Sequence, residues 1–178
     1  MGGFGVKWEK IIYFWTIQKR QAMTTFIGDY PCKADAKGRI MLPSVFKKQM
    51  GGASQDKFVV KKDIFEKCLV LFPQDEWDRQ VKLLRSRINL YNREHNQFLR
   101  EFYKGTAEII LDANNRMLIP KRLLDWAGIL DGNVVLAGQD GKIEVWEKNK
   151  YENRSVNEDE FASLAEKILG GPMNNNEE

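Results

Sequence analysis

The sequence predicts a mainly β protein with added helices (α+β), in which two tandem copies of one unit close a single small barrel about a pseudo-twofold axis. Three observations predict it. Asp35-Ala36-Lys37-Gly38-Arg39-Ile40-Met41-Leu42-Pro43 returns 77 residues later as Asp112-Ala113-Asn114-Asn115-Arg116-Met117-Leu118-Ile119-Pro120, an internal repeat that organises everything around it. Matching apolar segments follow each copy: Phe58-Val59-Val60 and Val134-Val135-Leu136, then Leu69-Val70-Leu71-Phe72 and Ile143-Glu144-Val145-Trp146, with Trp77 and Tyr151 beyond them. Finally, a unit this short cannot cover its own apolar face, so pairing the copies solves both problems.

Residues 1–22 precede the repeats. Ile11-Ile12-Tyr13-Phe14-Trp15 is apolar but far short of the about 20 residues that cross a bilayer, and no small-residue cleavage pattern of a signal peptide stands there. Two accounts of this segment stand: a start codon assigned upstream of Met23, or an extension that packs as an amphipathic helix through Trp8, Ile12 and Trp15. Residues 23–77 form the first repeat, read as strand, turn, strand, proline-started helix, strand, turn, strand. Pro43 and Pro120 suit a helix start, where a missing N–H costs nothing. Gly51 and Gly128 suit the position just past its end.

Residues 78–104 connect the repeats as helices, the first of them starting back at Asp75. Trp77, Val81, Leu84 and Ile88 fall at helical spacing, as do His95, Phe98, Leu99 and Phe102. Asp75 is the expected N-cap of the first helix, and Gly105 closes the second. Residues 105–152 form the second repeat. Residues 153–178 carry a helix around Phe161, Leu164, Ala165 and Ile168, then a tail with the composition of disordered chain.

Composition narrows the function. With 43% apolar residues and 11% aromatics, the chain has material for a core in one domain or two small ones. Cys32 and Cys68 lack metal-ligand spacing, Cys68 reading as strand core, and His95 stands alone and reads as a surface residue. No nucleophile set, metal cluster or phosphate loop can be assembled. The chain therefore reads as no enzyme, with no cofactor and no metal. Net charge is +3, but residues 1–50 hold nine Lys/Arg against three Asp/Glu, and residues 151–178 two against seven. A basic front and an acidic tail point to a polyanion as partner of the first half.

The repeated turn gathers the candidate site. Lys33, Lys37, Arg39 and Arg116 are the candidate DNA-binding residues, and Asp35, Gly38, Asp112 and Asn115 the candidate turn formers. Gly38 and Asn115 share one place in the repeat, and both types tolerate positive φ. Asp35 and Asp112 either cap the turn with the arginines simply paired to them, or hold the turn while the arginines reach outward.

These paired Asp-x-x-Gly-Arg-(apolar)₃-Pro units resemble the MraZ family of transcriptional regulators, within the AbrB-like swapped-hairpin group. Thr25–Tyr30, Leu69–Pro73 with Glu76-Trp77, Ala127–Ile129 and Glu144–Trp146 with Lys150-Tyr151 share the resemblance, over residues 23–152. Asn114-Asn115 departs from it where a glycine-containing turn is usual. The resemblance implies tandem swapped-hairpin repeats and a cytoplasmic, nucleoid-associated DNA-binding repressor. It implies as partners the short repeated elements of double-stranded DNA in a division and cell-wall gene-cluster promoter. It also implies a ring-shaped homo-oligomer and no membrane. The alternative is an antitoxin-like protein-interaction module of the same fold, with basic turns that meet an acidic protein.

Overall fold

The computed structural model describes residues 24–50, 56–154 and 156–171. The expectations for residues 1–22, for Gly51 and for the tail past 171 lie outside the described residues. The first copy runs β1 (Asp29–Lys33), β2 (Arg39–Met41), α1 (Ser44–Gln49), β3 (Lys57–Lys62) and β4 (Leu69–Pro73), followed by α2 (Gln74–Arg87) and α3 (Arg93–Tyr103). The second runs β5 (Ala107–Ile110), β6 (Arg116–Leu118), α4 (Lys121–Ala127), β7 (Asn133–Gln139) and β8 (Lys142–Glu147), followed by α5 (Lys148–Glu152) and α6 (Glu158–Leu169).

All the strand pairs are antiparallel. One sheet has the order β1-β7-β8-β4-β3-β5, and β2 pairs with β6 in a separate ribbon. The order is palindromic: exchanging β1 with β5, β3 with β7 and β4 with β8 returns the same sheet. The first strand of each copy pairs with the third strand of the other, Tyr30 opposite Leu136 and Phe58 opposite Ile109. On the axis, residues meet their own counterparts: Val70 opposite Glu144 in the sheet, Ile40 opposite Met117 in the ribbon. The α+β class and the twofold repeat are thus those expected. Closure is looser than a continuous barrel. Contact of β1 with β2 narrows to the Ala34–Ile40 bridge and the turn bonds, and the three-residue β2 and β6 pair in a ladder only with one another.

The core lies between sheet and ribbon. Phe26, Ile40, Phe46, Phe58, Leu69, Leu71, Met117, Ile119, Leu123, Leu136 and Ile143 are fully buried in it. Phe46 stands edge-on to Phe26 and Tyr30, ring centroids 5.5 and 5.0 Å away. On the opposite face of the sheet a second cluster joins Cys68, Val135, Ala137 and Trp146 with Tyr151. The repeat persists there in aromatic pairs, Phe72 with Trp77 at 5.9 Å and Trp146 with Tyr151 at 6.1 Å. Trp77 also stacks on Phe102 at 5.8 Å, which fastens α3 to α2.

Several local expectations shift. Pro43 and Pro120 sit one residue earlier than expected, as N-caps, with ψ of 136° and 131° that is extended rather than helical. Asp75 lies inside α2, whose N-cap is Pro73; its carboxylate accepts the neighbouring Glu76 N–H instead. The side-chain cap belongs to Asn92, which accepts from the N–H groups of Glu94 and His95 at the start of α3, the usual economy of an N-cap. His95 is half-buried rather than a plain surface residue: its Nδ1 accepts the Asn89 N–H at 2.9 Å and fastens the turn between the helices. Cys68 precedes β4 rather than lying within it, and is buried. Desolvation, aided by the Glu144 charge, pushes its thiol up to about 12. Gly128 ends α4 at φ 80°, donating to the Asp125 carbonyl while Ile129 donates to Leu124, a Schellman closure. Lys150 adds a bond from Nζ to the Ala127 carbonyl at 2.9 Å.

Phe46 is the one fully buried residue of the short α1. Phe46→Ala is expected to destabilise the fold by about 3–5 kcal/mol, read as a lowered denaturation midpoint with the slope unchanged.

Candidate nucleic-acid interface

The two turns are built alike. In the first, Gly38 N–H closes on the Asp35 carbonyl at 2.9 Å and Asp35 N–H on the Arg39 carbonyl at 2.9 Å. The Asp35 carboxylate accepts from the backbone N–H of Lys37 at 2.9 Å and of Arg39 at 3.0 Å, and from Arg39 Nε at 2.6 Å. In the second, Asp112 accepts from Asn114 N–H at 2.8 Å, Arg116 N–H at 2.9 Å and Arg116 Nε at 2.8 Å. A short carboxylate that reaches backbone donors two and four residues on is what aspartate supplies in a tight turn. The Arg39 backbone N–H first, then its guanidinium, holds the Asp35 carboxyl below the ordinary aspartate range. Arg116 does the same for Asp112. These carboxylates stay ionised, and the turns stay tied, until the pH falls below that range.

Gly38 and Asn115 occupy the left-handed place of each turn, at φ 81° and 56°. Each turn is also locked to the other copy. Leu42 N–H donates to the Asn115 carbonyl at 2.9 Å and Ile119 N–H to the Gly38 carbonyl at 3.1 Å.

The swap brings both arginines to one surface. In the ribbon, Arg39 faces Leu118 and Met41 faces Arg116. Ile40 and Met117 are buried between them, so alternation turns Arg39, Met41, Arg116 and Leu118 outward together. Arg39 and Arg116 stand on the diagonal, where Cα atoms lie about 7–8 Å apart. Both are partly exposed and both are ion-paired within their turn, so the arginines and aspartates act as pairs. Each aspartate takes its guanidinium at Nε, and among the described residues the two terminal nitrogens make no hydrogen bond.

The lysines lie to one side. Lys37 is exposed in the first turn. Lys33 ends β1, opposite Asn133 rather than on the ribbon, and its charge reaches Asp131. Lys33 and Lys37 line an open groove of about 560 Å³ together with Lys121 from the start of α4, and with Asp35, Asp125 and Asp131. Lys121 is contributed by the second copy to the first copy's turn, which local sequence could not show. Met41 and Leu118 were missed for another reason: three successive apolar residues before a proline read as core. The period of two, applied to Ile40 and Leu42 as inward residues, would have marked Met41 as outward.

The fold is thus a tandem twofold repeat whose axial ribbon carries two arginines on one exposed face. Among the described residues no group of three His, Cys, Asp or Glu side chains could hold a metal, and no helix is long and apolar enough to cross a membrane. The chain matches the family model described as "MraZ protein, putative antitoxin-like" over residues 25–101 and 102–169, and it belongs to the MraZ family. Transcriptional regulator MraZ of Christiangramia forsetii is 42% identical over 149 residues, 83% of this chain and 95% of that protein. Those of Bacteroides thetaiotaomicron and Acetivibrio thermocellus are 37% and 36% identical, over 83% and 80% of this chain and 94% and 96% of theirs. The chain is thus a transcriptional regulator by family, and the family is not one of enzymes.

Of the two left-handed positions, only residue 115 already carries a side chain. A Cβ at residue 38 would lie 3.0 Å from the Ile119 carbonyl oxygen and 3.1 Å from Leu124. Gly38→Ala is expected to cost about 1–2 kcal/mol, the penalty of a left-handed L-residue. Asn115→Gly is expected to be close to neutral, because asparagine already tolerates that conformation. Chemical denaturation of both variants checks the contrast.

Proposed function

We propose that this chain is a sequence-specific repressor that binds double-stranded DNA at short repeated elements. Its target is the promoter of the division and cell-wall gene cluster, and it acts in the cytoplasm on the nucleoid. The observation that carries the reading is the β2–β6 ribbon, which brings Arg39 and Arg116 to one outward face. A two-stranded ribbon fits the major groove, where arginine donates bidentately to guanine O6 and N7. Lys37, Lys33 and Lys121 flank it and serve the phosphates. The Asp35 and Asp112 carboxylates fix each guanidinium before DNA arrives and so lower the ordering cost of binding.

The first turn dominates, because Lys37 has only Asn114 as its counterpart. Arg39→Ala is expected to cost about 1–3 kcal/mol of discrimination between operator and random duplex, and Arg116→Ala less. Lys37→Ala weakens both duplexes alike and reduces the salt slope by about one. Footprinting and titration on the promoter upstream of the protein's own gene, at two salt concentrations, measure this. Binding to an acidic protein partner instead, with no steep salt-dependent DNA affinity, would support the antitoxin-like reading.

The repressor acts as a ring-shaped homo-oligomer, in which ribbons at fixed spacing bind repeated elements together. Support comes from α6. Its 12 residues form a helix of a length that is marginal alone in water, yet Phe161, Leu164 and Ile168 are exposed along it, Ile168 by 68%. A neighbouring copy supplies the cover. Ile168→Glu is expected to lower the mass measured by light scattering, leave the melting temperature of the β core unchanged, and cut affinity for repeated sites by about 10² or more.

A further inference from the structure

We infer that Met41 and Leu118 are specificity-determining residues that read the 5-methyl groups of thymine beside the guanines met by Arg39 and Arg116. The inference rests on the DNA-binding reading above and assigns a role to the half of the ribbon face that reading leaves unused. Met41 is 59% exposed and Leu118 55%, in a ribbon whose other apolar residues, Ile40 and Met117, are wholly buried. Neither is needed by the core. An exposed strand position would ordinarily carry a polar side chain, yet both copies carry an unbranched or γ-branched apolar residue two places after the arginine. The neighbouring turn positions do vary between copies, Lys37 to Asn114 and Gly38 to Asn115.

The geometry sets what this pair can reach. Arg39 and Met41 are two residues apart on one strand and face the same way, about 7 Å along the ribbon. That matches about two steps of stacked bases at 3.4 Å each. Across the ladder, Met41 lies directly opposite Arg116, and Leu118 opposite Arg39. Each arginine therefore has one apolar neighbour two residues along its own strand and one directly across the ladder. In the major groove thymine alone among the bases offers an apolar group, its methyl, while guanine offers the two acceptors. A face that alternates fork donors with flexible apolar chains complements a run in which guanine and thymine lie side by side. The pseudo-twofold axis between Ile40 and Met117 gives this reading at both ends of the ribbon.

The test removes a methyl from the DNA and a side chain from the protein. Duplexes enriched by the full chain from a random pool are synthesised with thymine and again with deoxyuridine, which pairs identically but lacks the methyl. Wild type is expected to bind the uracil duplex about fourfold more weakly for each contacted position, the value of one buried methylene. Met41→Ser and Leu118→Ser are expected to bind both duplexes equally at their own positions, whereas Arg39→Ala keeps the thymine preference while losing guanine discrimination. Because both residues are exposed, melting temperatures should stay at the wild-type value. Equal wild-type affinity for the two duplexes overturns the inference and leaves the DNA-binding reading intact. So does a selected sequence without thymine beside guanine, or a Met41→Ser variant that keeps full discrimination. A pool from which nothing is enriched removes the DNA-binding reading, and the inference with it.

Discussion

Everything in this molecule depends on the exchange of first strands between the two halves. β1 has its ladder partner in β7 and β5 in β3, so each copy covers the other's sheet edge and neither ladder exists without both copies. The exchange forces β2 and β6 together on the axis, and it seals the apolar volume between ribbon and sheet around Ile40, Met117, Phe46 and Leu123. Sheet edges are also where unwanted strand pairing begins. Here the short β2 and β6 occupy each other.

The site follows from that constraint rather than from any feature added to it. A turn that begins at an aspartate and ends, three residues on, at a left-handed residue sets one arginine at the start of a three-residue strand. The exchange then places two such strands side by side. Buried apolar residues anchor the ribbon from below, and the cross-copy bonds of Leu42 and Ile119 to the opposite turns fix its edges. The guanidinium groups are thereby held by carboxylate and backbone together, so their positions are set by the fold and not by side-chain chance.

The two ends of the ribbon share one backbone and differ in charge. The first turn gathers Lys37 and its own Lys33, and receives Lys121 across the swap. The second has Asn114 in place of Lys37, with Ile110 and Ser44 at the places equivalent to Lys33 and Lys121. A symmetric scaffold whose two turns carry different charged groups has a direction, which a perfect dyad lacks. The acidic groups around the groove, Asp35, Asp125 and Asp131, keep the lysines from forming an undifferentiated basic patch.

Much of the architecture was written in the chain. The repeat of Asp35–Pro43 as Asp112–Pro120 determined two equal units, their turns and the places of Gly38 and Asn115, because these depend on local backbone preference and on spacing. The helices with Trp77 and Phe102 at helical intervals were legible for the same reason. Capping was read less well: extended ψ at Pro43 and Pro120, and Asn92 rather than Asp75 as a side-chain cap, depend on how strands hand over to helices. Only the tertiary structure decided that Arg39 and Arg116 share a face, that each is held by its aspartate, and that Met41 and Leu118 lie between them. Lys121 belongs to the first turn only through the swap. The aspartate pairs are local to each turn, but the shared face and the place of Lys121 join residues of different copies, brought together by pairing that a periodic pattern announces but does not orient.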